Sequence, residues 1–130
     1  MKAALEFHDS IVSSTSAVGP NLVITFSEAY IHRSTGEPGV SPGDGFTQAA
    51  ELIFSDASWS GALHEARGAI SDAYIVVADQ QRTLLPVPFI ATSPVSAEFS
   101  FASGSVLKVA AMSASCSVAG TARRVERYAG

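Results

Sequence analysis

The sequence predicts an all-β domain of about eight antiparallel strands, closed as a sandwich or a barrel, with at most one short helix. Three observations predict it. Apolar and polar residues alternate with period two in Val95-Ser96-Ala97-Glu98-Phe99-Ser100-Phe101, the pattern of a strand with one buried face. Segments rich in β-branched and aromatic residues recur at short spacing, separated by glycine, proline and asparagine. No long helical stretch alternates with them, which excludes an α/β arrangement.

Taken in order, Leu5 to Val18 and Leu22 to Arg33 flank Gly19-Pro20-Asn21, three strong turn formers, and so make a first hairpin. From Ser34 to Phe46 four glycines and two prolines preclude a regular element and predict a long surface loop. Gln48 to Ser55 is a strand with Ala50, Leu52 and Phe54 on one face. Ala69 to Ala78 is another, and its Ile75-Val76-Val77 run suggests burial on both sides. Between these, Ala62 to Arg67 has helical propensity but is too short for more than a turn or two. Leu84-Leu85-Pro86-Val87-Pro88-Phe89 reads as an edge strand or extended loop, because each proline removes a ladder donor. The alternating strand at Val95 to Phe101 then turns through Ala102-Ser103-Gly104-Ser105 into Val106 to Met112, a second hairpin. Gly120-Thr121 reads as a further turn, between Ser115 to Ala119 and Ala122 to Tyr128.

The 130 residues suit one domain, 1–130, and no linker divides them. Of the 47% that are hydrophobic, 21 residues are alanine, so the core must be made mainly from 12 Val, 7 Ile, 7 Leu and 7 Phe. Charged residues make up 15%, below the ~25% usual for soluble domains, and 19 serines supply much of the polar surface. A surface so poor in charge predicts a partner or a second copy covering part of it. A net charge of −4 argues against nucleic acid or an anionic membrane as that partner. Glu6 and Asp9 interrupt any signal-peptide core, and the apolar window Val106 to Ala114 is far shorter than the ~20 residues of a membrane span. A soluble, cytoplasmic protein is expected. The lone Cys116 reads as an inert strand thiol.

No cofactor motif is present. There is no phosphate-binding Gly-x-x-x-x-Gly-Lys-Ser/Thr, the long loop has too few acidic oxygens for a calcium loop, and one cysteine with three scattered histidines gives no zinc spacing. Neither a metal nor a catalytic set is expected. His8-Asp9-Ser10 has the residue types of a nucleophilic triad, but on a strand Asp9 points away from its neighbours and cannot orient the imidazole.

A three-residue turn at Gly19-Pro20-Asn21 would set Val18 opposite Leu22, hence Ser10 opposite Tyr30 and His8 opposite His32. Two imidazoles ~5 Å apart at Cβ could share a proton, a metal or an anion. His8, His32, Tyr30 and Ser10 are therefore the candidate ligand-binding residues. A one-residue slip would separate the histidines. Arg123, Arg124 and Arg127 make the last strand basic, with Arg123 and Arg127 on one side and Arg124 on the other. They are candidates for contact with an acidic partner, or they protect a solvated edge from aggregation. Trp59, in a turn-like stretch, is a candidate contact residue or a cap on the core.

The opening Leu5-Glu6-Phe7-His8-Asp9-Ser10, followed by a glycine-bearing turn and Leu22-Val23-Ile24-Thr25-Phe26, resembles small uncharacterised bacterial all-β proteins, among them polymorphic-toxin immunity proteins. The resemblance implies an all-β protein that acts by contact. It brings no catalytic residues. Two functions compete. One is a non-enzymatic protein-binding or assembly module, immunity-like and homo-oligomeric, that presents an edge, the Gly/Pro loop and the arginine strand. The other is a small-ligand-binding barrel or enzyme with a pocket at His8, His32 and Tyr30, to which Glu28, Glu51 or Asp72 would add a carboxylate.

Overall fold

The computed structural model describes residues 1–128. Strands make up 74% of it and helix is almost absent, which establishes the all-β class. The strands are β1 (Lys2–Val18), β2 (Asn21–Ser34), β3 (Gly43–Ser55), β4 (Ser58–Ser60), β5 (Gly68–Val77), β6 (Gln80–Arg82), β7 (Leu84–Pro86), β8 (Phe89–Ala91), β9 (Val95–Phe101), β10 (Val106–Ala111) and β11 (Ser113–Tyr128). There are eleven, not eight. Four of them, β4, β6, β7 and β8, have only three residues, too few to show a period. In the other direction, the turn expected at Gly120-Thr121 does not form, and the two segments around it are one continuous strand. Gly120 takes a positive φ of 69° inside a bulge, where the register against β3 jumps between Ala119 and Arg123. The helix expected at Ala62 to Arg67 is a single 3-10 turn, Leu63–Glu65.

The strands form one antiparallel sheet in the order β4-β10-β9-β5-β1-β2-β3-β11-β8, with β6 on β5 and β7 on β1. The sheet curls into a half-barrel, a form between the sandwich and the closed barrel. Its two limbs meet at a narrow seam, where β1 and β5 pair only through Ile11 with Ala69 and Val12 with Gly68. Thr15 reinforces that seam by donating its hydroxyl to the Ala66 carbonyl at 2.7 Å.

Alternation puts the core inside the curl. On β9, Val95, Ala97, Phe99 and Phe101 are all buried, and the β9–β10 hairpin pairs Phe99 with Leu107 as the period requires. Leu22, Ile24 and Phe26 of β2 and Ala50, Leu52 and Phe54 of β3 face them from the other limb. Phe99 joins the limbs: its ring meets Phe7 edge-on at 5.5 Å and Phe54 at 6.4 Å. Of the Ile75-Val76-Val77 run only Ile75 is fully buried. Trp59 lies not in a turn but on β4, opposite Val109 of β10, half-buried against the core. β7 is the edge segment that its prolines predict, paired to the first half of β1.

The first hairpin departs from its expected register. The connection is the two-residue Gly19-Pro20, so Val18 pairs with Asn21. Asn21 is free to serve both the ladder and the next turn, its side-chain oxygen accepting the Asp56 N–H at 3.3 Å. That displacement is the one-residue slip. Bulges along β1 then move the register further.

Candidate functional site

β1 leaves the ladder between Glu6 and Ile11. Asp9 sits at a φ of 73°, a left-handed conformation that aspartate tolerates better than most non-glycine residues. Ser10 holds this bulge closed: fully buried, its hydroxyl donates to the Glu6 carbonyl at 2.6 Å and accepts the Tyr30 N–H at 2.9 Å. Ser10 is thus a backbone pin and has no surface from which to meet a ligand.

With the bulge in place, His8 does not face His32. His32 lies opposite Ala4, and Tyr30 opposite Glu6. His8 is exposed, its Nδ1 3.3 Å from Asp9 Oδ2, whereas His32 is buried with Nε2 3.5 Å from Glu6 Oε1. The Tyr30 ring stands 5.0 Å from the His32 ring at 61°. It crosses Gly45, where any Cβ would collide with the phenol, and its hydroxyl donates to the Glu126 carboxylate. Burial first, and then Glu126, pushes that hydroxyl's pKa well above its ordinary range. His8, His32 and Tyr30 are therefore neighbours of one residue that the sequence reading passed over, Glu6. Ligand-bearing atoms of Glu6, His8 and Asp9 all lie within 4.8 Å of one another. One imidazole with two carboxylates is a donor set that divalent metals accept. Its trace in the sequence is Glu6-x-His8, two residues apart on a strand and so on one face, visible only when carboxylates are counted with histidines.

The 35–42 loop covers His32. Ser34, 2% exposed, donates to the Pro42 carbonyl at 2.7 Å and accepts the Gly36 N–H at 3.0 Å, folding the loop back onto the sheet. Gly39, at a φ of 83°, packs so closely that a Cβ would stand 2.9 Å from Leu84 Cδ1 and 3.8 Å from the His32 ring. The loop is shorter than the Ser34 to Phe46 expected, because β2 and β3 run into it at both ends. The pocket expected at His8, His32 and Tyr30 is covered at His32, while His8 stays exposed.

The arginines of β11 are placed by a second bulge, between Arg124 and Glu126. Their partners on β3 are Thr47 for Arg123, Phe46 for Arg124, Gly45 for Glu126 and Asp44 for Arg127. Since opposed residues share a face, Arg124 and Arg127 stand on one side and Arg123 with Glu126 on the other. This overturns the simple alternation, which paired Arg123 with Arg127. Arg124 Nη2 lies 3.2 Å from Asp44, Arg123 Nη2 lies 3.8 Å from Glu28, and Arg33 covers Phe46 at 4.4 Å. Glu28 so joins the arginines and not the histidines. Glu51 and Asp72 lie on β3 and β5, away from both groups.

Cys116 is buried, and burial pushes its thiol up to about 12 from an ordinary 9.0. The native state therefore holds the proton longer than the unfolded chain. The stability this contributes is complete below about pH 9 and lost as pH rises toward 12. A chromogenic disulfide reagent at mildly alkaline pH is expected to leave Cys116 unmodified in the native protein and to titrate it fully in denaturant. Fast native labelling would contradict the burial.

No known protein family, curated protein or solved structure matches the chain.

Proposed function

We propose that the protein is a non-enzymatic binding or assembly module that takes a strand of a protein partner onto the open edge of β11. One observation carries the reading. β8 pairs only with Ala114, Ser115 and Cys116, so among the described residues the outer side of β11 beyond Cys116 has no ladder partner. Such a row of N–H and C=O groups is a template for another strand. Two bulges interrupt it and so restrict the registers a partner can adopt. Arginines on both faces of this edge favour an acidic strand and disfavour wrong partners. Ile90 on β8 and Val125 on β11, 76% and 51% exposed, add apolar contact beside it.

The homo-oligomer suggested by the low surface charge is the self-pairing form of this contact, and an immunity-like role, holding another protein inactive, is the heterologous form. Trp59 is assigned to packing and not to the partner. No helix among the described residues is long and apolar enough to cross a membrane. A cytoplasmic setting belongs to the proposal and fits a single buried thiol.

Light scattering from micromolar to millimolar concentration, with amide hydrogen exchange, tests the reading. In the dilute monomer the outward amides of residues 117–128 are expected to exchange fast, and in the oligomer or complex to become protected. Joint replacement Arg123→Glu, Arg124→Glu and Arg127→Glu is expected to weaken association with an acidic partner strand at least about tenfold. The thermal midpoint should move little, because exposed ion pairs are worth about 0–1 kcal/mol each. Protection confined to another surface, or undiminished association of the triple variant, would reject the β11 edge.

A further inference from the structure

On the outer face of the β1–β7 ladder, beside the 35–42 loop, lies a cleft of about 550 Å³. Sites for small molecules typically measure ~300–1,000 Å³ and are mostly apolar with a few polar groups. This cleft has that constitution. Ala4 and Pro86, directly opposed in the ladder, belong to its lining with Leu84 and Pro38, while Lys2 and Arg82 bring positive charge. Glu37 is the one carboxylate among its lining residues, and neither Lys2 nor Arg82 takes part in an ion pair among the described residues.

Arg82 is the informative group. Its Nη2 donates to Gln80 Oε1 at 3.3 Å, but its Nε is buried and has no hydrogen-bond partner among the described residues. A buried guanidinium N–H with nothing to donate to is costly, and native proteins satisfy nearly all such groups. A carboxylate meets a guanidinium through two parallel hydrogen bonds, and a carboxylate in the cleft would satisfy Nε and its neighbouring nitrogen once a rotamer change of the half-buried Arg82 turns Nε toward it. The apolar lining suits the remainder of a ligand that is charged at one end only.

We propose that this cleft binds a small amphipathic carboxylate, its head at Arg82 with Lys2 adding charge, and its body on Ala4, Pro38, Leu84 and Pro86. The site is separate from the β11 edge and independent of the reading built on it.

Decanoate is the probe, with decanol and decyltrimethylammonium as neutral and cationic controls, in calorimetric and NMR titrations of the full chain. Decanoate is expected to bind saturably, with shifts confined to residues 2–4, 37–38 and 82–87. Decanol should bind roughly tenfold more weakly, the scale of a lost charge-assisted pair, and the cation not at all. Arg82→Met should bring decanoate to the level of decanol. Since Arg82 is half-buried, Thr83→Glu gives a second variant at an exposed position on the cleft lining, and its added negative charge should repel decanoate while the thermal midpoint holds. Absence of saturable binding, equal affinity for decanol and decanoate, or indifference to both substitutions would overturn the proposal.

Discussion

Phe99→Asp is expected to abolish the folded state. Phe99, fully buried on β9, meets Phe7 of β1 and Phe54 of β3 on the opposite limb of the half-barrel, so it ties its own limb to the other. Truncating such a phenylalanine to alanine costs ~3–5 kcal/mol. An aspartate there also carries an unpaired charge into an apolar core, at a further cost of several kcal/mol. Together these approach or exceed the ~5–15 kcal/mol total stability of an ordinary domain. Near-ultraviolet circular dichroism should be lost and the cooperative melt should disappear. Ser96→Asp, on the solvent face of the same strand, is the matched control and should stay within about 0.5 kcal/mol of the parent. A folded Phe99→Asp variant, or an equally damaging Ser96→Asp, would mean that the strand faces have been assigned the wrong way round.

The second large effect is expected at Ser10. Ser10→Ala removes the acceptor for the Tyr30 N–H and the donor to the Glu6 carbonyl, in a place water does not reach. Orphaning a buried backbone donor costs ~1–3 kcal/mol, to be read as a lower urea midpoint at unchanged slope. Asp9→Gly, one residue earlier, should be almost neutral, because relief of the left-handed backbone offsets the added flexibility of the unfolded chain. Should Asp9→Gly prove the more damaging of the two, the bulge is held by its aspartate and not by the serine. Loss of the pin would also loosen His8 and Asp9, whose position on the outer face depends on this detour of the backbone.

The parts of the fold legible in the sequence are those governed by local period. β9 and β10 show this best, since their inward residues alternate without a break and their glycine turn leaves no doubt about pairing. Register over a long hairpin is different. A difference of one residue at Gly19-Pro20 and a bulge around Asp9 place His32 opposite Ala4 and not His8, and neither event carries a glycine signature at the bulge itself. Gly120 shows the converse ambiguity, because positive φ serves a turn and a bulge equally, and only the distant partner β3 decides between them. The face each arginine takes on β11 was hidden for the same reason. Coverage of His32 by the 35–42 loop depends on Ser34, Gly39 and Leu84, and no local pattern connects those three positions.

The pairing of β11 with β3 also bears on how the polypeptide emerges from the ribosome. β1, β2 and β3 can zip together as successive neighbours while translation proceeds, but the far side of β3 must wait for β11, which is synthesised long afterwards. Until then the outer ladder of β3, the strand that carries Leu52 and Phe54, stays unpaired and open to other chains, so an interval prone to aggregation precedes the synthesis of β11.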